Sequence, residues 1–441
     1  MLRFPDIHPV KKDAYKKIVN GFVPRTVYVS LNQDGKHTCE PIVKSGDRVE
    51  EGQKIAESGS FAVYSPIPGT VEGEELKTMP DGKINRTVRI SLGGSFSFLG
   101  KKIPEADYQS FSPKALIRHI EEYGLLNTFR ADRPEPLAPQ LERASGYKFR
   151  LLVVRLTDED PSRLTDTILS SVFAENVAKG IKIASYVMDA QGIVLVTEKD
   201  FKNEDAFSSL NVPCFILRTN PKQYPSAFST HICAAVKKNT KEDLFRHISK
   251  HDLFIDASTI LELYRSVSFR MPVIDRYVLV NGDCLPATGL IKVSLGTTFE
   301  SVAEQCGGFV RTPDSVIVNG MVTGFSSGTL NVPVTKYVKS ITFNSSRKTP
   351  WQSQALCLRC GNCRAACPLN MYPDVMYRHL TGGASAPADY MEGARYCIEC
   401  GLCNAVCPSR LPINMKIQEY KNSLLNAART EPAEEVAHVQ Q

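Results

Sequence analysis

No run of about eighteen apolar residues occurs anywhere in the 441 residues, so the sequence holds nothing long enough to cross a bilayer as a helix. The opening MLRFPDIHPVKKDAY lacks the apolar core of a secretory signal. Together these absences predict a chain that stays in the cytoplasm, with attachment to a membrane surface left open. An excess of one charge is missing too: 53 Lys and Arg stand among 47 Asp and Glu, a net charge of +6, and no basic stripe interleaves with aromatics. A solvated surface is expected, and no nucleic-acid partner. The middle of the chain contains no G-x-G-x-x-G and no P-loop, which removes the common nucleotide-binding signatures. Tryptophan occurs once, at Trp351, and reads as a packing anchor rather than an electron carrier.

What is present in quantity is cysteine in one pattern. Two runs, Cys357-Leu-Arg-Cys360-Gly-Asn-Cys363-Arg-Ala-Ala-Cys367-Pro368 and Cys397-Ile-Glu-Cys400-Gly-Leu-Cys403-Asn-Ala-Val-Cys407-Pro408, repeat the spacing C-x2-C-x2-C-x3-C-P. Three thiolates of such a run surround one iron-sulfur cluster, and the fourth, a helical turn further on, points to the other cluster. A zinc site has no use for third and fourth cysteines at these offsets, and a disulfide framework would not repeat them with a proline. The expectation is therefore two [4Fe-4S] clusters, one held by Cys357, Cys360, Cys363 and Cys407, the other by Cys397, Cys400, Cys403 and Cys367. Small residues inside the turns let backbone N–H groups reach the sulfurs. Between the runs Tyr372–Leu380 reads as a helix and 381–387 as a loop. The other five cysteines, Cys39, Cys214, Cys233, Cys284 and Cys306, share no spacing and read as buried or idle thiols.

The remaining length exceeds one core, so several domains are expected. From Thr26 to Gly94 short strand-like runs are cut by Gly, Pro and Asp. The phrase V-x2-G-D-x-V-x2-G-Q-x-I followed by S-P-x-x-G-T-V resembles the biotinyl/lipoyl-type barrel-sandwich. Carrier versions have a lysine at the hairpin tip; here Glu57–Val63 has none, so a docking or scaffold role is expected instead of a swinging arm. Further on, Ser112-Pro113 caps a helix reaching to about Gly124, a proline-rich connection follows at 133–139, and 164–179 reads as a second helix. Strands are expected at 149–154, 183–188, 192–197 and 214–217. This alternation predicts a mainly parallel sheet covered on both faces. From 271 to 343 a β-β-α start, with the helix 298–305 stopped at Gly307-Gly308, gives a β-grasp-like pattern. The fold class is thus multidomain α+β. It comprises an N-terminal barrel-sandwich β domain (1–105), an α/β Rossmann-like middle domain (106–268), a β-grasp, SLBB-like domain (269–345) and a C-terminal helical two-cluster ferredoxin-type domain (346–425), with 426–441 as a tail expected to be disordered.

The order of these pieces resembles the C subunit of the Rnf electron-transport complex, the ion-translocating ferredoxin:NAD oxidoreductase. The phrases that carry the resemblance are Ile7-His8-Pro9, the stretch 43–55, the block from Val278 through Gly307-Gly308 to Gly324, Pro333-Val-Thr-Lys336, and both cysteine runs. The resemblance implies a peripheral protein on the cytoplasmic side of the cell membrane. Its partners would be the other members of the complex and ferredoxin or flavodoxin. The chain departs from the family in the α/β domain. Where the family has the flavin loop G-G-A-G-F-P-T, this chain has Tyr123-Gly-Leu-Leu-Asn-Thr-Phe-Arg-Ala-Asp132. Where the family has A-E-C-E-P-Y, it has 155–161 with Asp158, Glu159 and Asp160, read as solvated loop acids; where the family has Y-P-Q-G-G-E-K-Q, it has Tyr224–His231. Arg130 and Arg133 add positive charge near the altered loop, and His231 reads as a core or helix-surface histidine. FMN is therefore not expected, nor NADH oxidation by this chain alone.

Two further readings stay open at this level. One is a soluble iron-sulfur flavoenzyme such as cobalamin reductase, which needs the flavin loop; the other is an adaptor whose clusters are structural.

Overall fold

The computed structural model describes residues 18–430 apart from 36, 221–222, 346–355 and 384. Trp351 and Ile7-His8-Pro9 lie outside the described residues. The chain divides into two compact units, one comprising 4–348 and the other the cysteine-bearing remainder.

The first unit begins with a β-structure of two small sheets. One carries Thr26–Ser30, Ile84–Leu92, Gly69–Thr78 and Arg48–Val49 in that order, all antiparallel; the other carries Glu40–Pro41, Lys54–Ser58 and Phe61–Tyr64. Period-two alternation explains the packing, since Thr26–Ser30 buries Val27 and Val29 against Ile55, Val63, Val88 and Ile90. At the hairpin tip Gly59 takes φ 59, a left-handed turn that glycine adopts without strain, and no lysine stands there.

Next comes a four-stranded, all-parallel sheet in the order Cys214–Thr219, Gly192–Glu198, Leu151–Arg155, Leu253–Asp256. Its two faces are covered by different helices. Leu152, Val154, Ile193 and Leu195 point into the main core, while Val153 and Val194 meet Ile232 and Val236 of the helix Ser229–Asn239. The expected strand at 183–188 is instead the last part of the helix Ala174–Met188, and the helix expected over 164–179 is broken at Phe173. The β-branched and aromatic content of this stretch suggests a strand, but its buried residues Ala178, Ile181, Ala184 and Val187 recur at helical spacing. Gly180 lets this helix close on the helix Ala257–Phe269: a Cβ there would lie 2.4 Å from the Ile260 carbonyl oxygen. The proline-rich connection also holds more structure than expected, because Leu137–Ser145 is a helix.

A further sheet has six strands, Ile18–Asn20, Gly289–Ser294, Asp275–Asn281, Ser340–Asn344, Ser315–Val318 and Phe325–Ser327 in order. The helix Phe299–Gln305 is capped by Thr298 and stopped at Gly307 and Gly308, both at positive φ. Its edge strand Ile18–Asn20 comes from the start of the chain, so part of the stretch assigned to 1–105 belongs to another sheet. Buried ion pairs fasten this sheet to the parallel one. Lys339, fully buried, joins Asp166 at 2.7 Å and also Asp256, and Arg276 joins Glu262 at 2.9 Å. Removing one partner from such a group strands a buried charge, at a cost of roughly 3–5 kcal/mol.

The second unit is made of short helices, Asn362–Ala366, Pro373–Leu380, Ala388–Glu392, Leu402–Ala405, and the longer Ile413–Thr430. Met371, Met376, Met391, Leu411, Ile413 and Ile417 form its core beside the cysteine loops. The last helix runs past 426, where a tail was expected, to Thr430.

Candidate metal centre

The two cysteine runs fold as two copies of one shape. Cys357 and Cys397 stand forty positions apart, as do the other three pairs, and the backbone repeats with them. Arg359 and Glu399 take φ 56 and 60, Gly361 and Gly401 take 76 and 73, and Asn370 and Arg410 take 53 and 51. Each glycine opens a single helical turn, Asn362–Ala366 or Leu402–Ala405, which carries the third cysteine, and the fourth follows the turn. The left-handed residues bend the loop back so that N–H groups face sulfur. Glu399 N–H donates to Cys397 Sγ at 3.4 Å, and the backbone N–H of Leu402 and of Asn404 donate to Cys400 and Cys403. Such donors favour the negative charge of a thiolate or cluster sulfur.

Cys357, Cys360, Cys363 and Cys407 line one cavity, together with Asp374 and Pro408. In the other half Cys367 lies in the electrostatic reach of Cys397 and Cys400. Cys407 thus stands with the first three cysteines of the other run, and Cys367 stands near Cys397 and Cys400. Among the described residues no three His, Cys, Asp or Glu side chains converge as they would on a single ion. In the first half four thiols stand around a cavity, an arrangement that fits a cluster held by cysteine thiolates. Burial pushes the Cys363 thiol up to about 11 and Cys400 to about 12.

The halves differ in polar surroundings, and these residues were not singled out by spacing. In the first half Arg364 donates to Asp374 at 3.2 and 2.7 Å, with Asp374 buried at 4% exposure. In the second half Lys421 pairs with buried Glu399 at 2.9 Å and donates to the Cys397 carbonyl at 2.6 Å, while Gln418 donates to Glu399 at 3.2 Å. Comparing the runs at their forty-residue offset would have drawn attention to Glu399 opposite Arg359.

The α/β sheet places the other candidate residues at the C-terminal ends of its strands, where a cavity is lined by Thr157, Asp158, Glu159, Arg163, Glu198 and Tyr224 among others. The expectation that Asp158, Glu159 and Asp160 are solvated is wrong. Asp158 accepts from Arg163 Nε at 2.8 Å and from the N–H groups of Asp166 and Thr167, at the start of the helix Thr165–Val172. Asp160, fully buried, accepts from the N–H groups of Val322 and Thr323, both at 2.8 Å. Glu159 lies 3.0 Å from Arg130, which also binds Asp132, so this arginine does not offer free positive charge. Their partners are remote in sequence, which is why a local reading took the acids for loop surface. The segment after Gly124 is packed inward, with Leu125, Leu126, Thr128 and Phe129 all buried. His231 lies on the helix Ser229–Asn239, half-buried, its pKa lowered by burial. Of the five remaining cysteines, Cys39, Cys233, Cys284 and Cys306 are buried, while Cys214 is exposed; all are free.

Comparisons with known proteins agree with the arrangement. Residues 6–94 match the RnfC barrel sandwich hybrid domain, and residues 349–408 match the 4Fe-4S dicluster domain. The C subunit of the ion-translocating oxidoreductase complex of Haemophilus influenzae (strain 86-028NP) is 25% identical over 79% of this chain and 53% of its own length. Its counterpart in Rhodobacter capsulatus is 25% identical over 82% of this chain and 71% of its own. The C subunit of the Na(+)-translocating ferredoxin:NAD(+) oxidoreductase complex of Acetobacterium woodii is 24% identical over 83% and 84%. This chain therefore spans about half the length of the Haemophilus relative. A chain of NAD+-reducing [NiFe]-hydrogenase aligns over 74% of this chain and 68% of its own at 12% identity with a TM-score of 0.49, too low to argue from. The resemblance to the Rnf C subunit holds, and the second unit is a two-[4Fe-4S] domain.

Proposed function

We propose that this chain relays electrons in a membrane-bound complex of Rnf type, one that couples electron transfer between ferredoxin or flavodoxin and NAD to ion translocation. The observation that supports the reading is the cavity that Cys407 shares with Cys357, Cys360 and Cys363, with Cys367 beside Cys397 and Cys400 in the same small module. Cys357, Cys360, Cys363 and Cys407 hold one cluster and Cys397, Cys400, Cys403 and Cys367 the other, so neither site is complete without the other run. Bound there, the clusters supply one-electron chemistry. The chain's own residues would fix four thiols around each site, turn the backbone toward the sulfurs at the left-handed residues Arg359 and Glu399, and back the loops with a methionine-rich core.

The first unit is the scaffold, with a barrel-sandwich domain, a Rossmann-like α/β domain and an SLBB-like β-grasp domain near the boundaries 105, 268 and 345. Its flavin site is lost: Leu125–Phe129 fill the place where a glycine turn would meet FMN. Electrons then enter or leave through the clusters, and NADH is handled by another chain or not used. The chain sits peripherally on the cytoplasmic side of the cell membrane, bound to the other proteins of the complex; among the described residues no helix is long and apolar enough to cross a membrane. Purifying the complex from its native membrane, identifying its components and assaying iron, sulfide, FMN and NADH oxidation tests this reading. Co-purification with membrane-spanning partners and cluster reduction by a low-potential donor are expected. A chain found alone, with stoichiometric FMN and its own NADH oxidation, would instead be the soluble flavoenzyme.

A further inference from the structure

We propose that the face formed by Leu356, Leu358, Arg359 and Cys360 is the port at which a small acidic one-electron carrier protein docks on the cluster module. The proposal rests on the relay reading above and adds to it a surface, a partner chemistry and an order of transfer.

The repeat supplies the argument. Cys360 and Cys400 occupy the same place in the two copies, yet Cys360 is exposed while Cys400 is 8% exposed. The difference has a cause in the chain. In the second copy the helix Ile413–Thr430 continues far enough for Gln418 and Lys421 to clamp Glu399 over the loop. In the first copy the matching helix ends at Leu380, and Thr381 stands where Lys421 would be. Among the described residues no such clamp lies over the loop at 356–360, and the loop is fixed: Ser409 donates to the Leu356 carbonyl at 2.9 Å. Electron transfer weakens steeply with distance, so the site with the exposed ligand is the one a partner's centre can approach.

The surface chemistry selects the partner. Leu356 is 89% and Leu358 67% exposed, a small apolar centre beside the ligand. Arg359 and Arg410 are exposed on the two loops beside the cavity and Arg364 on the single-turn helix Asn362–Ala366, and the acid that lines the cavity, Asp374, is buried under Arg364. An apolar centre with a cationic rim fits a protein with an acidic rim, and opposite charges speed encounter while salt slows it. One electron passes from the reduced carrier to the Cys357–Cys363 side and then to the Cys397–Cys403 side, or the reverse; no bond is made and no proton is required.

The test uses the full chain, reconstituted with iron and sulfide, with an acidic plant-type [2Fe-2S] ferredoxin as the reduced probe in stopped flow at low salt. Arg359→Glu is compatible with the backbone, because a glutamate already occupies the equivalent left-handed position 399. Arg359→Glu and Leu356→Asp should each slow reduction by the probe by roughly tenfold or more, and Arg359→Glu should flatten the salt dependence. Iron content and both paramagnetic resonance signals should stay as in wild type. Tyr396→Asp, at the 72% exposed counterpart of Leu356, should leave the rate unchanged. Variants as fast as wild type, or Tyr396→Asp slowed equally, would overturn the port. A wild-type chain reduced by dithionite but not by the probe would overturn the carrier-relay reading itself along with it. A dimer of this chain that Leu356→Asp dissociates would overturn the carrier port by assigning the face to a second copy.

Discussion

Arg364 grips Asp374 through two hydrogen bonds, at the positions that forty residues later are held by Asn404 and Asn414, where Asn404 Oδ1 accepts from the Asn414 N–H at 2.7 Å. One repeat thus uses an ion pair and the other a neutral contact for the same joint between the single-turn helix and the helix that follows it. The pair is uneven in exposure, since Arg364 is 44% and Asp374 5% exposed in its side chain, so solvent discounts its worth. Arg364→Asn should cost on the order of 1 kcal/mol because it leaves the buried carboxylate to Arg378 alone, 3.9 Å away. Arg364→Asn with Asp374→Asn copies the other repeat and should recover part of that loss. Chemical unfolding of the four members of this cycle checks it, and simple additivity would show the two residues to be independent.

Eight thiolates at two sites predict about eight iron and eight acid-labile sulfide per chain after anaerobic reconstitution. Iron near half that value, or zinc in its place, would contradict the assignment.

Cys367→Ser tests the crossing. This residue belongs by sequence to the first run and by surroundings to Cys397 and Cys400. The paramagnetic resonance signal of the cluster held by Cys397, Cys400 and Cys403 should be altered or lost while the other persists. Loss confined to the cluster at Cys357, Cys360 and Cys363 is the outcome that sinks it.

How much of this was legible in the sequence depends on how far apart the interacting residues lie. The cysteine runs and the Ser112 cap were readable because their chemistry is local: Ser112 accepts from Ala115 N–H, three residues on. Ile183–Met188 misled because β-branched content is a weak prior, and packing on the helix Ala257–Phe269 through Gly180 overrides it. Asp160 misled for a different reason. Its partners Val322 and Thr323 lie more than 160 positions away, and no local pattern announces them.

Glu262 should give the first unit a pH dependence of its own. Burial raises its pKa from 4.5 to about 7, against the pull of Arg276. A carboxyl raised on folding stabilises fully below its unfolded pKa, and that contribution is lost as pH rises from 4.5 through about 7. The loss amounts to roughly 3 kcal/mol at one unit per 1.36 kcal/mol. Asp256 acts in the opposite sense at lower pH: burial would raise its carboxyl, but Lys339 and Arg155 outweigh it and hold it below the usual range, so its contribution is lost on acidification. Glu262→Gln should therefore flatten stability between about pH 5 and pH 7.5 without changing the acid limb. Unfolding midpoints of variant and wild type that fall in parallel across this interval would show that Glu262 does not titrate there.

The last prediction is that the isolated chain binds neither FMN nor NADH and does not oxidise NADH. A flavin phosphate needs several free backbone N–H groups on a turn without Cβ atoms. After Gly124 this chain offers none of that kind. Leu125 and Leu126 are core residues at 2% and 1% exposure, the Thr128 N–H donates to Thr259 Oγ1 at 3.0 Å, and the Phe129 N–H donates to Asn127 Oδ1 at 3.0 Å. Gly124 itself is committed elsewhere: its carbonyl accepts from buried Lys336 at 2.8 Å, and a Cβ there would lie 2.7 Å from the Ala62 carbonyl oxygen. The charge that could attract a phosphate is used up as well, since Arg130 pairs with Asp132 and Glu159. Restoring the glycine turn would require unpacking Leu125, Leu126 and Phe129 from the core, so a single Leu125→Gly substitution should lower stability without conferring flavin binding. Equilibrium titration of the reconstituted chain with FMN, followed by fluorescence, and with NADH, followed by cluster bleaching, decides the matter: stoichiometric yellow protein or NADH-driven bleaching by this chain alone would mean that the flavin chemistry survives on a backbone other than the glycine loop.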